Sequence, residues 1–251
     1  PLTSSDITDG IITTTKIADA NVTNPKLTSG SQQNFRNIII NGDMSLAQRA
    51  TSETGITNAS GDVFVADRFC WSESGGMTSQ FTMSQDTDVP AGYGFAKSLK
   101  LDCTTTDTPA TTERIRIETR FEGQNLQYLK KGTANAESWT ISFWVKSVKT
   151  GTYIVNFRDE DNARIVSKAY TISSANTWEK KIVTVAPDTT DPFDNDNAHS
   201  LTVAWILSAG SSLQSGSLAD VWQDYANANY AAGQVNFADS TSNNFWITGV
   251  Q

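Results

Sequence analysis

The stretch WTISFWV, Trp139 to Val145, limits what this 251-residue chain can become more than any other part of it. In an extended segment, Trp139, Ile141, Phe143 and Val145 fall on one face and Thr140, Ser142 and Trp144 on the other. Successive side chains of a strand point to opposite faces, so this strand has one fully apolar side and one polar side bearing a single Trp. Such a strand suits a sandwich, one face in the core and the other on a partly wet surface. The same alternation recurs from about residue 35 onward and is missing before it.

Taken in order, Phe35 to Ile40 reads as a strand stopped by Asn41-Gly42, a strong turn signal. Met44 to Arg49 is compatible with a returning strand or a short helical turn. Residues 51 to 61 read as a polar loop, and Val63 to Trp71 as a buried strand interrupted by Asp67-Arg68. Met77 to Gln85 alternates, Pro90 to Gly94 turns, and Ser98 to Cys103 puts Leu99, Leu101 and Cys103 on one face. Arg114 to Phe121 alternates too, its other face carrying Arg114, Arg116, Glu118 and Arg120. Asn125 to Tyr128 reads as one helical turn. Beyond the Trp139 strand, Tyr153, Val155 and Phe157 point inward, and strands follow over Ile165 to Ile172 and Trp178 to Val185. Leu201, Val203, Trp205 and Leu207 mark another buried face, residues 209 to 240 form a long Ala/Asn/Ser-rich excursion, and Asn244 to Gln251 makes a closing strand. Nine to eleven short strands with no long helical pattern predict an all-β fold, a β-sandwich or barrel, with a jelly-roll-type sandwich the preferred topology.

Hydrophobic content of 38% is low, yet seven Trp and eleven Phe supply the volume to close a core. A formal charge of −8, with no clustered Lys and Arg along the chain, argues against nucleic-acid binding. No apolar run approaches the roughly 18 residues of a membrane span, so no membrane insertion is expected. The first ten residues have neither the basic start nor the apolar centre of a signal peptide. The missing initial Met and the apparent strand running to Gln251 suggest a piece of something longer. Cys70 and Cys103 are the only cysteines; buried free thiols are the expectation and a disulfide is the alternative.

Residues 1 to 34 follow a different rule. Ile7 to Lys16 and Ile17 to Lys26 repeat with a period of ten, matching Ile7/Ile17/Leu27, Asp9/Asp19, Ile12/Val22, Thr13/Thr23 and Lys16/Lys26. Repeats this short cannot bury their apolar positions alone. The segment reads as extended and fibrous, docking Ile7, Ile12, Ile17, Val22 and Leu27 against identical chains or a partner; a repetitive disordered linker is the alternative. Ser29 to Asn34 reads as a linker, so the division is 1–34 and 35–251.

Chemistry is sparse. His199, the single histidine, reads as a solvated loop residue with no nucleophile elbow near it. Asp159, Glu160 and Asp161 read as a turn facing water rather than a glycosidase acid/base pair. No catalytic set or cofactor emerges, which points to binding and assembly rather than turnover. In the loop Ala186 to His199, the oxygens of Asp191, Asp194 and Asp196 suit a structural Ca²⁺, though without EF-hand spacing; an ordinary acidic loop is the competing reading. Flat rings stack on sugar faces while neighbouring polar groups take the hydroxyls. Trp144 and Trp246 lie on polar strand faces, Trp222, Tyr225 and Tyr230 lie in the excursion, and Tyr93 lies in a turn. Trp144, Trp222, Tyr230 and Trp246 are the glycan-binding candidates; packing under a loop or at a subunit interface is the alternative for each.

Several separated motifs carry a resemblance. Asn37 to Met44 with Ala47-Gln48-Arg49, then Ala66 to Phe69, Trp139 to Ser147, Lys149 to Tyr153, Asn176 to Lys181, Phe193 to Asn197 and Ile247 to Gln251 together resemble tail-fibre and related virion proteins of marine bacteriophages. The decapeptide repeats look like the fibrous connectors of phage fibres, of the form I-T-D-G-x-I-T-T-x-K-L. The resemblance covers nearly the whole chain and none of its motifs is catalytic. It implies a homotrimeric virion fibre, on tail or capsid, assembled in the host cytoplasm. Residues 1–34 would anchor it to other virion proteins, and a jelly-roll domain similar to carbohydrate-binding modules would contribute to host-surface glycan binding. The alternative is a carbohydrate-binding module of a secreted polysaccharide-degrading enzyme, against which the ten-residue repeat counts.

Overall fold

The structure is a computed structural model describing residues 37–251. The chain divides into two units, Pro1–Ile38 and Ile39–Gln251, and the second is described below. Ile7, Ile12, Ile17, Val22 and Leu27 lie outside the described residues, as do Phe35 and Arg36.

In chain order the strands are β1 (Ser52–Ile56), β2 (Val63–Phe64), β3 (Cys70–Ser74), β4 (Gln80–Asp86), β5 (Ser98–Thr105) and β6 (Arg114–Glu122). They continue with β7 (Trp139–Ser147), β8 (Gly151–Asp159), β9 (Arg164–Ile172), β10 (Glu179–Val185), β11 (His199–Ala209), β12 (Gln223–Asp224) and β13 (Asn244–Thr248). They form two antiparallel sheets, β1-β4-β5-β13-β7-β10 and β12-β9-β8-β11-β6-β3-β2, packed as a β-sandwich of jelly-roll type. Five single turns of 3₁₀ helix stand among the connections between Gly123 and Asp239.

The alternation read from the sequence builds the core. Phe81, Met83, Leu99, Leu101, Phe143, Val145, Phe245 and Ile247 from one sheet meet Trp71, Ile115, Ile117, Tyr153, Val155, Phe157, Val203 and Trp205 from the other, all buried. Trp205 is central, its ring 5.6 Å from Phe143 and 6.1 Å from Phe69. Burying an aliphatic or aromatic side chain of this size contributes about 1.5–3 kcal/mol each, which is how a chain of modest hydrophobic content closes. Cys70 and Cys103 are buried free thiols; burial, the largest cause, pushes them up to about 12 and about 11.

Four local expectations are corrected. Residues 37–40 form no strand. Asn41-Gly42 does turn, with Asn41 at φ 60° and Met44 N–H donating to its carbonyl, but it joins no hairpin. Instead the Asn41 amide donates to the carbonyls of Leu46 and Asp67 and accepts from Leu46 N–H, so Met44 to Arg49 is neither strand nor helix. Gly42 is required by close approach: a Cβ there would lie 1.9 Å from the Val250 carbonyl oxygen, whose residue donates N–H to Gly42. Within the polar 51–61 stretch, Ser52–Ile56 is an edge strand on β4, held by backbone pairing with only Ile56 buried. Val63 to Trp71 is a hairpin, because Arg68 takes φ 72° and the Asp67-Arg68 pair turns the chain between β2 and β3.

Candidate functional site

The outer face of the seven-stranded sheet is set by β6, whose period of two turns Arg114, Arg116, Glu118 and Arg120 away from the core. Its neighbour β11 places Thr202 beside Arg120 and Ala204 beside Glu118. On the far side, β8 places Arg158 beside Thr202 and Asn156 beside Ala204. One row therefore reads Arg120–Thr202–Arg158 and the next Glu118–Ala204–Asn156. A methyl group at the centre of three strands leaves a hollow of about 190 Å³, lined also by Glu160, His199 and Tyr230.

The 209–240 excursion makes the wall. Leu213, Ala219, Tyr230 and Ala231 pack on Ile154, Ile165, Ala204 and Ile206, covering the apolar half of this face and leaving the polar half open. Its tyrosines meet two of the arginines: the Arg114 guanidinium lies 5.0 Å from the Tyr230 ring centre and that of Arg158 4.8 Å from Tyr225. Stacking on a ring holds a guanidinium plane while leaving its N–H edge available.

Hydrogen bonding inside the hollow is uneven. Glu118 is 2% exposed and accepts from both Arg116 Nε and Arg120 Nε. Burial would weaken the Arg120 charge, but Glu118 outweighs it and keeps the guanidinium firmly protonated. Thr202 Oγ1 gives its one hydrogen to Glu160 Oε1 at 2.8 Å and therefore accepts from His199 Nε2–H at 2.9 Å. Burial of the ring lowers the His199 pKa below its ordinary value, with Glu160 opposing and Arg120 assisting, so the imidazole is neutral near pH 7. Asn156 stands apart. It is 1% exposed, and neither its amide nitrogen nor its amide oxygen is hydrogen-bonded within the protein.

Of the aromatic candidates, Tyr230 alone lines this hollow. Trp222 donates its indole N–H to the Ala186 carbonyl and lies beside Lys131. Trp144 and Trp246 are on the outer face of the six-stranded sheet, so the four do not form one site. There the Lys146 and Lys100 ammonium groups lie 4.1 and 5.2 Å from the Trp246 ring centre, and its indole N–H reaches Asp86. Trp144 packs on the exposed Tyr93, ring centres 4.4 Å apart.

The acidic loop is organised differently from the calcium reading. Among the described residues, the carboxylates of Asp191, Asp194 and Asp196 do not gather within ligand distance of one another. Lys131 reaches into the start of this loop, its Nζ donating to the carbonyls of Thr190 and Asp191 at 2.9 and 2.6 Å. The same ammonium is 2.7 Å from Asp159 and 3.2 Å from Asp188. Asp159, expected to face water, is fully buried because β8 runs two residues past Phe157. His199, expected in a loop, begins β11. Arg114, Arg116 and Arg120 already share β6, and strand pairing through β11 brings Arg158 to them.

No protein-family model matches the chain, and no curated protein matches it. Among solved structures, the chain is similar to the enzymatically active domain of bacteriophage CBA120 tailspike protein 4, at 15% identity and TM-score 0.38 over 73% of this chain. The match covers 19% of that tailspike domain's chain. It is also similar to a CBM4 structure, at 13% identity and TM-score 0.41 over 85% of this chain and 97% of that one. A third similar structure is the family 11 carbohydrate-binding module of the Clostridium thermocellum cellulosomal cellulase Lic26A-Cel5E, at 9% identity and TM-score 0.36 over 80% of this chain and 93% of that one.

Proposed function

We propose that this β-sandwich is a glycan-binding domain of a bacteriophage virion fibre, and that it binds sugar in the hollow over Ala204. Asn156 carries the proposal. A buried amide with a free donor and a free acceptor side by side matches neighbouring sugar hydroxyls, each of which both donates and accepts. Tyr230 supplies an apolar wall beside it, and Glu160 and Arg158 add polar edges. The role is binding, not turnover.

The fibre part of the proposal is supported by the resemblance of the separated motifs and by the ten-residue repeat. A homotrimer would be joined, and attached to other virion proteins, through residues 1–34. The same hollow would serve a binding module of a polysaccharide-degrading enzyme, but a monomeric module has no use for a fibre connector. Glycan-array binding by the whole chain tests the proposal. Binding should be present in the native protein and lost in Asn156→Ala; equal binding by both would remove the hollow from consideration.

A further inference from the structure

We infer that the sugar taken by this hollow is anionic, a unit whose carboxylate or sulfate ester seats against Arg114 and Arg158. This rests on the glycan-binding reading and adds the charge of the ligand. Four guanidinium groups line the hollow against two carboxylates, in a protein of formal charge −8. The pairing is unequal. Glu118 is shared by Arg116 and Arg120, and Arg120 also meets Asp62 at 2.6 Å. Arg158 Nε lies 3.2 Å from Glu160 but makes no hydrogen bond.

Arg114 forms no ion pair among the described residues, and its buried Nε–H has no partner. It lies over Tyr230, while Arg158 lies over Tyr225, and the two rings are 6.0 Å apart. Two guanidiniums are thus held in place with their Nε–H groups unspent, while Arg114 also donates to the Tyr225 side chain. A half-buried cation without a counter-charge, here Arg114 and not the Glu160-paired Arg158, is costly, and an arriving oxyanion relieves that cost through charge-assisted, bidentate hydrogen bonds. A neutral sugar leaves it in place. Asn156 then reads the hydroxyls next to the charged group. The small hollow and the overall negative charge favour a single acidic sugar unit over a nucleic-acid strand.

The test is binding of the whole chain to an array of neutral, uronate-bearing and sulfated oligosaccharides. Titration calorimetry follows, with each acidic ligand set against its methyl-esterified or desulfated form. The charged form should bind about tenfold to a hundredfold tighter, the range expected for hydrogen bonds to a charged group, and the advantage should shrink as salt rises. Arg114→Gln should abolish the difference with an unchanged circular dichroism spectrum, and Arg114→Lys should retain part of it. Preference for the uronate or for the sulfate ester identifies the source of the charge. Equal binding of charged and neutral forms, still lost in Asn156→Ala, would overturn the anionic assignment and leave glycan binding standing. No binding to any glycan on the array would overturn both.

Discussion

Lys131 shows how much one residue decides. Its side chain is 4% exposed and its ammonium holds Asp159, Asp188 and two loop carbonyls, with the rings of Phe193 and Trp222 on its flanks. Replacing one partner of a buried pair strands the other charge. Lys131→Met should therefore cost about 3–5 kcal/mol in urea denaturation. Asp188 makes the same point through pH. Burial would raise its pKa, but two Arg164 N–H groups, the Thr190 N–H and Lys131 outweigh burial and hold it below the ordinary carboxylate value. A depressed folded-state pKa stabilises above the unfolded value of about 3.9, and that stability is lost as pH falls through the folded value. Urea midpoints measured from pH 6 down to pH 3 should fall more steeply for the native protein than for Asp188→Asn.

At the scale of an element, β11 faces the core and the proposed binding hollow on alternate residues. Trp205 points into the core and touches Phe69 and Phe143, so Trp205→Ala should cost about 3–5 kcal/mol. Ala204, one residue away, points out into the hollow. Ala204→Leu should place its extra carbons in that space, costing about 1 kcal/mol as mild overpacking while abolishing glycan binding. Thermal denaturation and array binding on the two variants check both halves. Similar stability losses in both would mean that residue 204 faces packed protein rather than a hollow. The alternation behind this contrast is local and was legible in the residues of β11. The identity of its neighbours was not, because β6 and β8 pair with it across long stretches of chain.

For the whole molecule, the proposed function assigns assembly to the ten-residue repeat and recognition to the sandwich. Light scattering should find a trimer for the full chain and a loosened or dissociated one when residues 1–34 are removed, with glycan binding per chain retained. A monomer in both cases would leave the repeat without the assembly role assigned to it. The sheet order adds a folding consequence. The last strand, β13, lies between β5 and β7 in the middle of its sheet, so that sheet is completed only when the C-terminal residues arrive.

What the sequence determined by itself follows from periodicity. Alternation in β5, β6, β7 and β11 specified strands, named the buried face of each and called for a sandwich or barrel to cover those faces. It also placed Arg114, Arg116, Glu118 and Arg120 on one outward row. Only the tertiary structure decided what that row means. Strand pairing set it beside Thr202, Ala204, Asn156 and Arg158, and the excursion laid Tyr225 and Tyr230 over two arginines. It likewise put Lys131 against Asp159, Asp188 and two loop carbonyls, and placed Trp144 and Trp246 on the other sheet's outer face, away from Tyr230. The physical reason is one of range. Which way a side chain points is settled by its immediate neighbours along the chain. Which groups share a hollow is settled by contacts between distant segments, and the free donor and acceptor of Asn156 become visible only when those contacts have formed.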